Sequence, residues 1–320
     1  MLRFLLWLGG VILILCVAAG LYFYQPDIPK EEIDARYANE HSRFLTLSNG
    51  DRIHYRDQGL RSGTAVVLLH GAMASLHTWE PWVRQLENQY RVITIDLPGH
   101  GLTGAVKSGD YSAPAFSEAV SGVVQSLGVS LFVLGGNSMG GGVTWRYALE
   151  YPDRVSKMIL VNSVAPWGVR RSRTQDSNSP FAPLGWPWFR TFAGSINPRI
   201  LVARGLRLAY NDSPVVDDQL IDRYNDLILR EGTRASILGR ASTARSGERQ
   251  QVDLSVLTQP TLIMWGEQDG VISVDVGKRL AEVLPDAALV IYPDLGHVPM
   301  EEDPARTIKD VERFLASERL

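Results

Sequence analysis

Short apolar runs alternate with amphipathic stretches along most of the chain, and this alternation predicts the elements of the fold. Runs rich in β-branched residues predict strands that are buried on both faces. Stretches with apolar residues at helical spacing predict helices between those strands. The predicted strands are 44–47, 52–55, 65–69, 92–95, 131–134, 157–161, 261–265 and 289–292. The predicted helices are 78–88, 112–127, 141–150, 274–284 and 304–315.

The order of these elements predicts an α/β fold with a mostly parallel sheet. Buried strands that alternate with helices form parallel sheets covered on both faces. The first two strands flank Asn49-Gly50, a strong signal for a hairpin turn, so the sheet is expected to open with an antiparallel pair. Ligands and reacting groups of such sheets lie at the carboxyl ends of the strands. Candidate catalytic residues are therefore expected where each strand ends.

An uncharged hydrophobic run near the amino terminus predicts a single membrane-spanning helix. Phe4 to Tyr24 contains no charged residue, and as a helix it would be about 31 Å long, close to the roughly 30 Å hydrocarbon core of a bilayer. A cleaved signal peptide is the alternative, since Val17-Ala18-Ala19 offers small residues. Arg3 and the amino terminus favour a cytoplasmic N-terminus. The catalytic part is then expected on the extracytoplasmic side of the membrane.

Composition and charge narrow the class of protein. The anchor and the start of a tether occupy 1–26, and the polar segment 27–42 predicts the rest of that tether. Roughly 280 residues remain, enough for one large core. A net charge of −3 gives no reason to expect nucleic-acid binding. The only cysteine, Cys16, lies inside the hydrophobic run, so the rest of the chain offers no disulfide or thiolate chemistry.

The candidate nucleophile is Ser138, in Gly136-Asn137-Ser138-Met139-Gly140. This G-x-S-x-G pattern lies between a predicted strand and a predicted helix, which is the setting of a nucleophile elbow. On such a turn the serine hydroxyl is lifted clear of the sheet, and the glycines avoid collisions that a Cβ would cause. The amino end of the following helix favours developing negative charge at the same place.

The candidate base is His297 and the candidate acid is Asp269. His297 follows the last predicted strand, between a glycine and a proline, and Asp269 follows the preceding strand. An acid is needed to hold the tautomer of the base and to stabilise the imidazolium. Glu267 is the nearest rival for the acid and Asp294 is a second. The other histidines are interpreted as structural or solvated; they are His41, His54, His70, His77 and His100.

An oxyanion hole requires two N–H groups near the nucleophile. One is expected from Met139, directly after Ser138. The other is expected from the turn that follows the strand at 65–69, where Ala72 is the first choice and Met73 the second. Backbone donors do not depend on side chains, so this prediction depends on position alone.

Together these motifs resemble the α/β-hydrolase superfamily over essentially all of residues 43–320. The resemblance is carried by His70-Gly71, Asp96 to Gly101, Gly136 to Gly141, Tyr151 to Val155, Trp265 to Asp269 and Gly296-His297. It implies an eight-stranded sheet, a Ser-Asp-His triad and a helical cap inserted after the sixth strand. The cap corresponds to 165–245, which divides the hydrolase core into 43–164 and 246–320.

Two activities within the superfamily remain open. The stretch 136–161 resembles the carbon–carbon-bond hydrolases of aromatic ring-cleavage pathways, which act on dienolic diketones. Those enzymes typically have a tryptophan after the catalytic histidine, whereas this chain has Val298. An anchor is also unusual for them, and both differences favour carboxylester hydrolases. Epoxide hydrolases and haloalkane dehalogenases have an aspartate where this chain has Ser138.

The predicted cap is expected to determine specificity. Trp167 and Trp188 lie in its first part, which is rich in aromatics and prolines, and they predict an apolar acyl pocket. The alternative is that they fill the core of the cap itself. Residues 165–250 contain 13 arginines, no lysine and 8 acidic residues. Of these, Arg170, Arg171 and Arg173 predict either a solvated loop or contacts with anionic lipid headgroups.

The sequence thus predicts a membrane-anchored serine hydrolase that cleaves an ester with an apolar acyl group. Ser138 would attack the carbonyl, His297 would transfer the proton and Asp269 would orient His297. The N–H groups of Met139 and Ala72 would hold the oxyanion. This chemistry requires no metal and no organic cofactor. A non-catalytic binding module on the same fold is the alternative from a different class.

Overall fold

The computed structural model describes residues 24–167, 194–243 and 252–317, together with the single positions 4, 7, 10 and 11. Within these ranges, no helix has both the length and the apolar character needed to cross a membrane. Most of the predicted anchor lies outside the described residues. The same is true of Trp188 and of the arginines at 170, 171 and 173.

The centre of the molecule is one eight-stranded sheet. Its strands are β1 Ser42–Thr46, β2 Arg52–Gly59, β3 Ala65–Leu69, β4 Arg91–Ile95, β5 Phe132–Asn137, β6 Val155–Val161, β7 Thr261–Gly266 and β8 Ala287–Tyr292. They lie in the order β1-β2-β4-β3-β5-β6-β7-β8. The pairs β1–β2 and β2–β4 are antiparallel and all other pairs are parallel. The predicted mostly parallel sheet with an antiparallel opening is confirmed.

Helices follow the strands, as the alternating pattern predicts. They are α1 Lys30–Tyr37, α2 Glu80–Leu86, α3 Ala113–Ser126, α4 Met139–Glu150, α5 Arg199–Ala209, α6 Asp218–Leu229, α7 Thr233–Thr243, α8 Val274–Val283, α9 Pro299–Glu302 and α10 Pro304–Ala316. Local side chains fix several starts. The Ser112 side chain accepts a hydrogen bond from the N–H of Ala115, and Asp303 does the same for Arg306. Such caps satisfy N–H groups that have no partner within the helix.

The sheet is buried on both faces because successive side chains of a strand point to opposite sides. In β3, Val67 and Leu69 pack with residues of α3, α4 and α8. Val66 and Leu68 pack on the other face with α2, α10 and part of α5. Every residue of β3 is buried, as the unbroken apolar run predicts. The two cores hold the strand ends rigidly, which is what a catalytic constellation requires.

Three described helices, α5 to α7, lie between β6 and β7 in the chain, where the strand–helix alternation breaks. Val202 and Leu206 of α5 and Ile221 of α6 join the core on the α10 face of the sheet. The described inserted helices therefore share one apolar core with α2 and α10. The exact limits of the cap at 165 and 245 remain a prediction.

The segment predicted as a tether is ordered against this insertion. Its N-terminal part is extended: Tyr24 forms a bridge with Ile196, and the N–H of Ile28 donates to the carbonyl of Leu229 at 2.8 Å. Helix α1 follows, with Ile33 fully buried.

The polar residues that predict a solvated tether have partners on the inserted helices. Asp27 pairs with Arg234, and Asp34 lies 3.0 Å from Arg230. These partners are roughly two hundred positions away along the chain, so local composition gives no sign of them.

Candidate active site

Ser138 stands on a sharp turn between β5 and α4. Its φ of 52° lies in the left-handed region, which a non-glycine residue adopts only where its surroundings enforce it. A Cβ on Gly136 would lie 2.3 Å from the carbonyl oxygen of Gly140, and one on Gly140 would lie 2.2 Å from that of Leu69. The two glycines therefore permit the close approach that forms the elbow. Helix α4 begins directly after Ser138 and directs its amino end toward the site.

His297 and Asp269 form a hydrogen-bonded pair at neighbouring strand ends. Asp269 follows β7 and His297 follows β8, and the His297 Nδ1 lies 2.7 Å from the Asp269 Oδ2. The other oxygen of Asp269 accepts the N–H groups of Val271 and Ile272 at 2.7 and 2.9 Å. A carboxylate held this way keeps the proton of the imidazole on Nδ1. The Nε2 of His297 is then free to accept a proton.

The two rival acids lie away from His297. Glu267 is exposed at the end of β7. Asp294 forms an exposed ion pair with Arg306 at 2.7 Å. Of the three carboxylates considered from the sequence, the structure therefore brings only Asp269 to the imidazole.

The predicted oxyanion donors lie on the two backbone segments beside Ser138. Met139 is the first residue of α4. Ala72 and Met73 belong to the turn after β3 and border the same cavity as Ser138. Met73 has a φ of 61°, so this turn is sharply bent. The position fits an oxyanion hole, and the choice of Ala72 over Met73 stays a prediction.

The other buried histidines hold backbone in place. His70 contacts the carbonyl of Gly71 through Nδ1 at 2.7 Å and accepts the N–H of Leu97 through Nε2 at 3.0 Å. His54 lies 2.7 Å from Asp96. Burial alone would raise the pKa of Asp96, but the hydrogen bond from His54 and nearby imidazoles hold that pKa below its usual value. Across the described ranges, no group of three or more His, Cys, Asp or Glu side chains offers a set of metal ligands.

An apolar cavity of about 250 Å³ borders both Ser138 and His297. Its aliphatic walls come largely from the inserted helices. The aliphatic lining residues of these helices include Leu201, Val202 and Leu206 of α5 and Ile237 and Leu238 of α7. A concave apolar site with a few polar groups is typical of small-molecule binding. The cavity thus places an apolar group directly beside the serine and the imidazole.

A family model described as the alpha/beta hydrolase fold matches residues 64–304, well over half of the chain. The match includes the elbow, the acid and the histidine. The chain belongs to the α/β-hydrolase family. The predicted fold family is therefore confirmed.

The relatives of this α/β hydrolase have names that indicate the hydrolysis of different kinds of bond. Lipase 1 of Psychrobacter immobilis is 26% identical over 276 residues, which are 84% of this chain and 82% of the lipase. The 2-hydroxy-6-oxo-6-phenylhexa-2,4-dienoate hydrolase of Burkholderia cepacia is 29% identical over 268 residues, 80% of this chain and 90% of that enzyme. A thermophilic esterase from Thermogutta terrifontis is 27% identical, with a TM-score of 0.67 over 86% of this chain and 97% of the esterase.

Trp167 of this α/β hydrolase packs against the core beside α4 and α8, with the Arg279 guanidinium 4.4 Å from its ring centroid. It is not among the described residues that line the cavity, whose wall includes aliphatic residues of α5. Trp188, the second predicted tryptophan, lies outside the described residues. A substrate-binding role for the two tryptophans stays a prediction.

A buried carboxylate lies behind the polar part of the cavity wall. The Glu301 Oε2 accepts the hydroxyls of Thr78 and Tyr210 at 2.6 and 2.5 Å, and Oε1 accepts from Arg223 at 3.0 Å. Burial, together with the charge of Glu301, raises the pKa of Tyr210 well above its usual value. The Tyr210 hydroxyl therefore stays a donor to Glu301. These wall hydroxyls are directed to the carboxylate, which keeps the cavity largely apolar.

Two asparagines at strand ends hold the site together, and neither role was predicted from the sequence. Asn162, after β6, donates from Nδ2 to Asp269 at 2.7 Å and to the carbonyl of Gly296 at 3.3 Å. Asn137, before the nucleophile, donates to the carbonyl of His297 at 3.0 Å. A polar residue that ends a buried apolar strand is the signal that would have found Asn162.

Glu302 fixes the backbone on both sides of His297. Its carboxylate accepts the N–H of Gly296 at 2.7 Å and that of Val298 at 3.0 Å. Burial raises the pKa of Glu302, although the two N–H groups and the charge of His297 oppose the shift. The N–H of His297 itself donates to the carbonyl of Ala209 at the end of α5, at 2.6 Å. The histidine loop is thus fixed between α9 and the inserted helices.

Proposed function

We propose that this α/β hydrolase cleaves carboxylic esters with an apolar acyl group through an acyl-enzyme. The observation that carries the proposal is the apolar cavity that borders Ser138 and His297, with His297 hydrogen-bonded to Asp269. Such a cavity buries an acyl chain and leaves its carbonyl at the nucleophile. Each buried methylene adds about 0.8 kcal/mol of binding free energy.

The proposed reaction has two halves. The Ser138 Oγ attacks the ester carbonyl while the His297 Nε2 takes its proton, and the N–H groups of Met139 and Ala72 stabilise the oxyanion. The intermediate collapses, and His297 protonates the departing alcohol. Water then attacks the acyl-enzyme with His297 again as base, which releases the acid and restores Ser138. Asp269 stabilises the imidazolium in both halves.

Cleavage of a carbon–carbon bond is the second candidate, and the similarity to the dienoate hydrolase favours it. A dienoate carries a carboxylate, which calls for a cation in the site. Arg234 is the only arginine or lysine among the described lining residues. Its guanidinium is occupied by Asp27 and by the carbonyls of Gln25 and Ile196. The described lining therefore matches an ester with an uncharged acyl group better than a dienoate.

The test is fluorophosphonate labelling together with kinetics on p-nitrophenyl acetate, butyrate and octanoate. Labelling is expected in the wild type and absent in Ser138→Ala, with kcat lower by about 10⁴-fold or more. Ser163→Ala, a buried serine just beyond the end of the neighbouring strand β6, is the matched control and should label normally. We expect kcat/KM to rise from acetate to octanoate. Faster turnover of a dienolic diketone than of any ester would favour the second candidate.

We further propose that residues 4–24 form a single-pass anchor with the catalytic part on the extracytoplasmic side. The support is the uncharged apolar run and its length. Such an anchor keeps the full chain in the membrane fraction through high-salt and alkaline washes, because apolar burial is not screened by salt. Release by salt, or a mature N-terminus near Gly20, would contradict the proposal. A reporter fused after Leu320 tests the orientation.

A further inference from the structure

Asn162 occupies an unusual backbone position at the end of β6. Its φ is 44°, in the left-handed region, and its side chain is fully buried. Asparagine is one of the few residues other than glycine that adopts this region readily. Its N–H donates to the carbonyl of Met264 in β7 at 2.9 Å. The backbone therefore directs the Asn162 amide away from the ladder and toward the loops after β7 and β8.

The Asn162 amide contacts three separate parts of the site. Its Oδ1 accepts the N–H of Gly266 at 3.4 Å, where β7 ends. Its Nδ2 donates to the Asp269 Oδ2 at 2.7 Å and to the carbonyl of Gly296 at 3.3 Å. Only one orientation of the amide satisfies these partners, because the oxygen faces an N–H and the nitrogen faces two acceptors.

The Asp269 Oδ2 is the same oxygen that contacts His297. It thus receives two short hydrogen bonds, one from the imidazole and one from Asn162, both 2.7 Å. Hydrogen bonds to a charged acceptor are about twice as strong as those between neutral groups. Because the amide is uncharged and does not titrate, it can fix the carboxylate without taking part in proton transfer.

We propose that Asn162 is a positioning residue that sets the place of Asp269 and the proton affinity of His297. This inference depends on the proposed function, since it presumes that the Asp269–His297 pair serves catalysis. The Nδ2 donor draws negative charge on Asp269 away from the imidazolium. Without it, the carboxylate would stabilise the imidazolium more strongly and would also be free to rotate away from the productive geometry.

The variants are chosen to separate the amide from the backbone. Asn162→Gly removes the amide and keeps a residue that tolerates a positive φ. Asn162→Ala also removes the amide and keeps a Cβ. Asn211→Gly is the matched control, because Asn211 also has a positive φ of 48° but is exposed. Asp269→Asn reports whether the acid matters at all.

The readouts are kcat, KM and the pH dependence of kcat/KM on one soluble ester. We expect Asn162→Gly to lower kcat by about 10- to 100-fold with KM within about twofold. Because loss of the Nδ2 donor leaves more of the Asp269 charge to the imidazolium, Asn162→Gly and Asn162→Ala should move the acid limb, which reports the base of the free enzyme, upward by about one pH unit. Glu302, the other carboxylate near His297, is unchanged in every variant.

The outcomes distinguish this inference from the proposed function. An inactive Asp269→Asn with wild-type kcat and pH profile in Asn162→Gly would overturn the role of Asn162 alone. An active Asp269→Asn would overturn the proposed triad. If Asn162→Gly does not fold, an unmoved acid limb in a folded Asn162→Ala would overturn the inference. A merely structural role would lower the melting temperature without moving the limb.

Discussion

His77 should make the protein sensitive to mild acid. Its side chain is buried beside the cavity wall, and the Nε2 lies 3.1 Å from a guanidinium nitrogen of Arg56. Since Arg56 can only donate, Nε2 must carry no proton in the folded state. Burial, followed by the charge of Arg56, lowers the pKa of His77 to about 4. The folded protein therefore keeps this imidazole neutral where an unfolded chain would protonate it.

The size of the effect follows from linkage between protonation and folding. An unfolded histidine has a pKa of about 6.5. The contribution of the neutral His77 to the free energy of unfolding is therefore fully present above that pH, and it falls as the pH drops toward the folded pKa. Each pH unit of acidification in that window lowers the free energy of unfolding by about 1.4 kcal/mol. Between about pH 7.5 and pH 5, the free energy of unfolding should fall by about 2 kcal/mol through His77 alone.

Urea denaturation at both pH values measures this difference. Because carboxylates also titrate near pH 5, the informative quantity is the comparison of wild type with His77→Gln. The variant is expected to lose about 2 kcal/mol less on acidification. His41→Gln, at a histidine whose side chain is 42% exposed, is the control. An identical pH dependence in wild type and His77→Gln would refute the reasoning.

Substitutions at three further positions test other parts of the structure. Leu206→Trp fills the cavity, so kcat/KM on p-nitrophenyl octanoate should fall about tenfold or more, whereas kcat/KM on the acetate should change little. Equal losses on the two esters would exclude an acyl pocket at Leu206. Gly140→Ala places a Cβ 2.2 Å from the Leu69 carbonyl oxygen, and urea denaturation should give a loss of about 3 kcal/mol or more. Glu302→Ala should lower kcat on p-nitrophenyl octanoate more than Glu302→Gln does, because the glutamine keeps one acceptor oxygen for the N–H groups of the His297 loop. Equal kcat values for the two variants would argue against support of this loop by Glu302.

The strands and the elbow were predictable because their signals are local. The run 65–69 is apolar throughout and is buried throughout. The pattern around Ser138 requires a strand before it and a helix after it, and both are present. Asp269 and His297 were expected at the ends of the last two strands, where the hydrogen-bonded pair lies.

The cavity walls and the supporting side chains were not predictable in the same way. Leu206 and Val202 line the cavity because α5 joins a core formed by residues far apart in the chain. Trp167 instead packs beside α4 and α8, again through residues distant in sequence. Asn162 carries a local signal at the end of β6, but its partner Asp269 is more than a hundred residues away. Residue type suggested a pocket, and packing decided which side chains form it.

The docked N-terminal segment determines where the chain can be cut. A shortened form that begins at the first strand, near residue 42, would omit Asp27 and Asp34. Their respective partners, Arg234 and Arg230, would remain. Those two arginine side chains are only 4% and 7% exposed. The deletion would remove the carboxylate partner of each arginine and would break up the apolar cluster of Ile33, Leu102 and Leu227, so it should lower stability. A soluble fragment for expression should therefore begin before Gln25, with the whole segment retained.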